Sequence, residues 1–241
     1  MTQSAPIRVE PPFGPTDKPR EKGPPVVPRL KVAIAKLLIG IGLLGALLVF
    51  PFLLLVRASV WLQAGGVGTA WIPLAGGVAV TILLVTLYGL VAAKRLTGSW
   101  GIPSFVRKCL VGLVIAYAAY GVVYLSASNT KSGAVQSGYG DVNPVLRLGT
   151  ATLVLVDPTL MVTDASRTLE DYRRMGLPAN EASLHFVQPN GWVHAIDLRT
   201  LGRSRWRNGF VSLYFWAMGF NTKRHRGTAD HLHVSLPAQR S

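Results

Sequence analysis

Acidic residues are absent from a long central part of this 241-residue chain. No Asp or Glu lies between Leu37 and Leu125, and the charged residues there are Arg57, Lys94, Arg95, Arg107 and Lys108. Three uncharged apolar stretches result, at residues 37–56, 71–93 and 109–126. Each approaches the roughly 20 residues that a helix needs to cross a bilayer core about 30 Å thick. The sequence therefore predicts an integral membrane protein, since no other part of it is large enough to bury these stretches.

Two further absences narrow what the membrane helices do. The apolar stretches contain no side chain that ionises near neutral pH, although proton relays and ion pathways usually need one. We therefore predict that the helices anchor the protein rather than transport a solute. The single cysteine, Cys109, cannot form an internal disulfide, so cysteine usage does not identify the compartment.

The formal net charge of +14 is distributed in a way that predicts orientation. Basic residues cluster before the first apolar stretch and around the loop between the second and third, whereas the loop 59–69 has none. Positive loops stay in the cytoplasm, so the N-terminus is predicted to be cytoplasmic. Three crossings of a bacterial inner membrane then place the chain after Ser126 in the periplasm. This topology explains the basic excess, and membrane lipid, not nucleic acid, is the expected partner.

The predicted fold class is three transmembrane α-helices plus a small C-terminal α+β domain with a mixed or antiparallel sheet. Residues 1–30 form a proline-rich, disordered cytoplasmic tail, and residues 31–126 form the three-helix membrane region. A Ser/Gly-rich linker over residues 127–143 leads to the extracytoplasmic domain at residues 144–241.

Residue patterns predict six elements in the C-terminal domain. A strand over 146–156 precedes a helix over 165–175 that Thr163 or Asp164 caps. The other four are a hairpin of strands 182–187 and 192–199, an amphipathic helix over 205–218, and a last strand over 230–237. The helix over 205–218 presents one apolar face, formed by Trp206, Phe210, Leu213, Tyr214 and Ala217.

All five histidines of the chain lie in this domain: His185, His194, His225, His231 and His233. Residues i and i+2 of a strand share a face, so His231 and His233 point the same way. His194 and Asp197 point to opposite faces. A three-residue hairpin loop places His185 opposite Asp197, whereas a two-residue loop places these two on opposite faces.

With the longer loop, two imidazoles and one carboxylate come together from His185, Asp197 and His233. Three such ligands around a tetrahedral zinc ion leave the fourth position for water, as in catalytic zinc sites. His231 is then placed to act as general acid and base, and Asp230 is its rival for that role.

Two segments resemble the superfamily of D-Ala-D-Ala carboxypeptidases and murein endopeptidases, which are zinc peptidases. They are SLHFVQPNGWVHAID, from Ser183 to Asp197, and DHLHVSL, from Asp230 to Leu236. The resemblance implies zinc on His185, Asp197 and His233, with Asp230 or His231 as the catalytic acid or base. The interval between His185 and Asp197 is longer here than is usual in that superfamily.

Two functions are consistent with these patterns. The first is a membrane-anchored zinc metallopeptidase that acts on peptidoglycan peptides in the periplasm, which the predicted topology favours. The second is a non-catalytic accessory subunit of a membrane protein complex, with a degenerate peptidase-like domain, which the longer interval favours. Peptidoglycan is the expected partner in the first case and other membrane subunits in the second.

Overall fold

The computed structural model describes residues 26–66, 68–176, 178–227 and 230–239. Residues 1–25 of the predicted tail lie outside the described residues. The rest of that segment is helical, because a helix begins at Val26. The chain divides into two units, Met1–Ala46 and Leu47–Ser241. In the first unit, the described side chains from residue 30 onward are all exposed.

Three helices are long and apolar enough to cross a membrane, within the described residues. They are α1 (Val26–Ala64), α2 (Trp71–Thr97) and α3 (Ser104–Val123). The predicted spans are thereby confirmed as helices. At 1.5 Å per residue, even the 20 residues of α3 reach about 30 Å.

Close contact between α1 and α2 depends on Gly77. A Cβ atom on Gly77 would lie 2.8 Å from the backbone oxygen of Leu55 and would overlap the hydroxyl of Ser59. That hydroxyl donates a hydrogen bond of 2.8 Å to the same Leu55 oxygen, so it can move aside only by breaking this bond. Small residues permit such close approach between membrane helices.

We expect the substitution Gly77→Ala to destabilise the membrane region, because the added methyl meets backbone that can yield only if α1 and α2 separate. Overpacking of this kind costs about 1–3 kcal/mol. The midpoint of thermal unfolding in detergent should fall relative to that of Gly112→Ala. Gly112 is also within a membrane helix, but its Cβ would meet nothing within 4 Å. Equal midpoints for the two variants would contradict this packing.

The strand predicted over residues 146–156 is wrong, because this segment is helix α5 (Pro144–Val156). The side chain of Asn143 caps it by accepting a hydrogen bond of 2.9 Å from the backbone N–H of Val145. Proline follows at the first helical position, where its missing N–H costs nothing. Both start signals are present in the sequence, but the run of apolar and β-branched residues that follows them is also typical of a buried strand.

Helix α5 is covered on several sides. It packs against α3 and α2 on one side and against a later helix on another. The hydroxyl of Tyr117 in α3 donates to Thr152 at 2.7 Å, and the hydroxyl of Tyr214 donates to the backbone oxygen of Gly149 at 2.9 Å. A helix surrounded in this way is apolar all round.

Residues 127–143, assigned to a linker from the sequence, are folded. They contain a turn of 3-10 helix at Ala127–Asn129, helix α4 (Gly133–Gly138) and a second 3-10 turn at Tyr139–Asp141. The amide of Asn129 donates to the backbone oxygens of Pro158 and Leu160 at 2.8 and 2.7 Å. The segment therefore joins α3 to the C-terminal part through buried contacts.

A four-stranded antiparallel sheet forms the C-terminal part, and the predicted α+β class is confirmed. Its strand order is β1-β2-β4-β3, with β1 at Val162–Asp164, β2 at Ala195–Arg199, β3 at Asn221–His225 and β4 at His231–Ser235. The sequence patterns predicted β2 and β4 but not the short edge strands β1 and β3. Residues 182–187 form turns instead of the predicted strand.

Two helices flank the sheet, α6 (Leu169–Arg174) and α7 (Arg205–Met218). The predicted bounds of α7 are confirmed, with Ser204 as its N-cap and Gly219 in the left-handed conformation after it. Helix α6 is shorter than predicted, because Thr168 caps it through a reciprocal capping box with Asp171.

The face of α7 that packs on the core differs from the apolar face that the sequence suggested. The buried residues are Asn208, Val211, Tyr214, Phe215 and Met218, whereas most of the predicted face is exposed. Helix α7 thus has a second apolar face that the described residues leave exposed.

The C-terminal part packs at the end of the spans where α1 leads into α2. The guanidinium of Arg57 donates to the backbone oxygen of Met218 at 3.3 Å, and the rings of Trp71 and Trp192 meet edge to face at 5.9 Å. This location is the one expected if the chain crosses the membrane three times, since the first loop and the C-terminal part then share a side.

Candidate metal centre

Asp197 lies at the centre of a group of four charged or titratable side chains. It is on the interior strand β2, where it pairs directly with His233 of β4. Directly paired side chains of antiparallel strands are close neighbours on one face of a sheet. The Asp197 side chain is 6% exposed. A carboxylate this buried is stable only if both of its oxygens have hydrogen-bond or ion-pair partners.

His185 reaches Asp197 from a turn and not from a strand. The predicted hairpin register is wrong, because Val187 and Val193 form an isolated bridge and the residues before Val187 turn away. The backbone instead brings the His185 ring over β2, where Nδ1 donates to the carbonyl of Ala165 at 2.8 Å. A carbonyl accepts only, so this bond leaves Nε2 as the nitrogen that faces Asp197.

Three ligand atoms converge on one point, and they belong to the three residues that the sequence indicated as metal ligands. Nε2 of His185 lies 3.3 Å from Nδ1 of His233, and the two nitrogens lie 3.3 and 2.9 Å from Oδ1 of Asp197. Bonds of 2.0–2.1 Å to a tetrahedral ion place ligand atoms about 3.3 Å apart. The spacing of this triad, His185, Asp197 and His233, thus fits a small tetrahedral cation.

Electrostatics keep the carboxylate of the triad ionised. Burial by itself would raise the pKa of Asp197, but hydrogen bonds from His185 and His233 lower it well below its usual range. Burial would likewise lower the pKa of His185, but the hydrogen bond and the charge of Asp197 raise it above the ordinary value. The site is therefore prepared to hold positive charge, either as a proton or as a metal ion.

Arg167 is a site residue that the sequence patterns did not indicate. Its guanidinium lies 3.4 Å from Oδ2 of Asp197 and forms an ion pair with Asp164. Its backbone N–H also donates to the carbonyl of His185 at 2.8 Å. Arg167 thus contacts both the Asp197 carboxylate and the backbone of His185.

His231 borders the triad on the same face of β4 as His233. Its Nε2 lies 3.6 Å from Oδ2 of Asp197, and its side chain is 25% exposed. The ring of His225 stacks on it with a centroid separation of 4.8 Å. This neighbour comes from β3, which the sequence patterns did not predict. His194 stands apart and is hydrogen-bonded to Asn190.

Asp230 is engaged in a different set of bonds. Arg224 donates to its two oxygens at 3.1 and 2.9 Å, and Thr200 donates at 2.7 Å. The hydrogen bonds from Arg224 and Thr200 lower the pKa of Asp230 to about 2. Its carboxylate therefore joins β3, β4 and the end of β2, and it is a weak base.

A cleft of about 430 Å³ opens beside the triad. Asp197 and His231 form part of its wall, so the triad borders the cleft through Asp197. Three basic side chains and three carboxylates line the cleft, namely Lys131, Arg167, Arg199, Asp164, Asp197 and Asp230.

Comparison with known proteins adds no assignment, since no protein-family model, curated protein or solved structure matches this chain. The function of the protein must therefore be inferred from the geometry of the triad and its cleft.

Proposed function

We propose that this protein is a membrane-anchored zinc hydrolase that cleaves peptides of the cell wall. The observation that carries the proposal is the convergence of His185, Asp197 and His233 beside a cleft that also exposes His231. The resemblance of the two histidine-containing segments to the D-Ala-D-Ala carboxypeptidase and murein endopeptidase superfamily supports the same reaction class.

Zinc is the metal that this donor set favours. Two imidazoles and one carboxylate form a donor set that occurs in catalytic zinc sites, whereas calcium and magnesium prefer all-oxygen sites. Three protein ligands leave a fourth position for water, and we infer that it faces the cleft that Asp197 lines. A zinc ion held there would lower the pKa of a bound water and polarise a carbonyl group.

Among the residues near the triad, His231 is the best placed to move protons. It accepts a proton from the attacking water as the new C–O bond forms, and delivers it to the amine nitrogen as the C–N bond breaks. The alternative residue, Asp230, is less suited because Arg224 and Thr200 already occupy its oxygens. Asp197, held ionised, stabilises the imidazolium of His231 between these two steps.

Two basic residues of the cleft wall, Arg199 and Lys131, favour an anionic group on the substrate, although Asp164, Asp197 and Asp230 line the same cleft and Arg167 is ion-paired with Asp164. The guanidinium of an arginine such as Arg199 binds a carboxylate through two parallel hydrogen bonds. Wall peptides carry free carboxylates at their D-Ala ends, so this lining supports a substrate with a terminal carboxylate near the cleaved bond.

We propose further that the N-terminus is cytoplasmic and the cleft extracytoplasmic, in a bacterial inner membrane. The charge asymmetry of the loops supports this orientation. It places the cleft on the side where peptidoglycan is found.

The orientation is tested by thiol labelling of intact cells. In a Cys109→Ser background, a cysteine in place of the exposed Glu181 should react with a membrane-impermeant maleimide without cell lysis. A cysteine in place of Ser99, in the basic loop between α2 and α3, is the matched control and should react only after lysis. The reverse pattern would contradict the proposed orientation.

The reaction is tested by incubating the zinc-loaded, full-length protein with purified muropeptides and analysing the products by mass spectrometry. We expect hydrolysed peptides whose formation stops when a chelator is added and resumes when zinc is restored. Zinc-loaded protein that releases no product from crosslinked or D-Ala-terminated muropeptides would contradict the hydrolase. It would favour the accessory subunit that the longer interval between His185 and Asp197 suggests.

A further inference from the structure

Helix α7 presents an apolar face to the outside of the protein. Four large side chains form this outer face of α7, and their exposed fractions are 89, 48, 59 and 68% for Trp206, Phe210, Leu213 and Trp216. Their spacing of four, three and three residues follows the helical period, so they lie along one side. Helix α7 contains no acidic residue. A contiguous exposed patch of this kind marks an interaction surface.

The C-terminal end of α7 is fixed at the end of an apolar span. Arg57 is the first charged residue after the apolar stretch 37–56, and its guanidinium binds the backbone oxygen of Met218, the last residue of α7. Gly219 is seated against the same arginine and against Val60. An arginine that ends a span places its charge at the level of the lipid headgroups. This end of α7 is therefore at the membrane surface.

The other end of α7 is also unsuited to the hydrocarbon core. Arg203, just before the helix, forms an ion pair with Asp157, and Arg207 in its first turn donates to Thr159. Charged groups at the centre of a bilayer are costly. Polar groups at both ends argue against end-on entry of α7 into the membrane, whereas an orientation along the surface would let its outer face contact lipid.

We propose that the outer face of α7 inserts into the surface of the same bilayer that α1, α2 and α3 cross. A helix with tryptophans at the ends of its apolar face and arginines at its start is typical of such in-plane helices. The exposed Trp61 lies near the end of α1, and the exposed Trp71 lies at the start of α2. These adjoining ends share a side of the membrane, so both tryptophans belong to the same aromatic belt. The insertion would hold the metal-binding triad and its cleft at a fixed height above the lipid.

The test uses full-length protein reconstituted in phosphatidylcholine and phosphatidylglycerol vesicles. In a Cys109→Ser background, an environment-sensitive NBD dye is attached to Leu213→Cys on the outer face. The matched control is Arg173→Cys on α6, whose side chain is 77% exposed. We expect a blue shift for the dye at 213, with quenching by brominated lipids. Bromine near the headgroup end of the acyl chain should quench most, because in-plane helices enter only about 5–10 Å. The dye at 173 should show neither effect.

Two results would overturn the proposal. An unshifted, unquenched dye at 213 would show that the outer face is in water. A blue shift without lipid quenching would show that protein covers the face, either a second copy or another subunit. Should Leu213→Cys fail to fold, Trp216→Cys provides the same measurement on the same face.

Discussion

Protein purified in detergent is expected to bind one zinc ion per chain, and the substitutions His185→Ala, Asp197→Ala and His233→Ala are each expected to abolish stoichiometric binding. Removal of a residue that only hydrogen-bonds to a zinc ligand already lowers the affinity for zinc roughly 10- to 100-fold. Removal of a direct ligand should therefore exceed 100-fold. The measurement is metal content by mass spectrometry after dialysis, followed by competition with a chelator of known affinity.

The control for this prediction is His194→Ala. It removes an imidazole from the same domain, but one that binds Asn190 and lies outside the triad, so zinc should be retained. Acid should release the ion from the unaltered protein, because protons compete for the two imidazoles as the pH falls. Zinc that survives the double substitution His185→Ala/His233→Ala would place the metal elsewhere.

Hydrolysis is expected to fall by about 10²- to 10⁴-fold in His231→Asn, which is the usual contribution of a general acid and base. Zinc content should stay unchanged, because His231 is not one of the three convergent ligands. The effect should lie in kcat with little change in KM, since proton transfer is needed for the chemical step and not for binding. Product formation is measured by chromatography of muropeptide digests.

The comparison for this prediction is Asp230→Asn, which keeps the shape of the side chain but removes its charge. We expect a smaller loss of activity, because Asp230 is bound by Arg224 and Thr200. Zinc content serves as the check on folding for both variants. A large loss in Asp230→Asn together with an active His231→Asn would assign the acid–base role to Asp230 instead.

The membrane helices were the most predictable part of the fold. Their apolar runs are long and uncharged, and that property decides the structure without reference to any other segment. Helix α7 was also predictable at both ends, since Ser204 and Gly219 supply local start and stop signals. Which of its faces would pack on the core was not, because both faces are apolar.

Helix α5 shows why tertiary burial can mislead a sequence pattern. Its side chains meet α2, α3 and α7, so apolar residues occur all round it and imitate a buried strand. Strand β3 was not predicted from the sequence, for the opposite reason. It is a mostly exposed edge strand of sequence NTKRH, and polar edge strands carry little apolar signal.

The members of the triad were predicted from residue types, although the predicted hairpin register was wrong. Pairing of β2 with β4 places Asp197 and His233 side by side, as the strand pattern indicated. His185 joins them from a turn, held by the Ala165 carbonyl and the Arg167 backbone. Such a long-range turn contact has no periodic signature, and for the same reason Arg167 escaped prediction.

The triad is proposed to form a metal centre with one position open to the cleft. The optical spectrum of the cobalt(II)-substituted protein distinguishes an open site from a closed one. We predict intense tetrahedral bands that shift when a small anion such as azide replaces the bound water. No cobalt binding at the triad, a weak six-coordinate spectrum, or tetrahedral bands that azide leaves unchanged would contradict an open catalytic site.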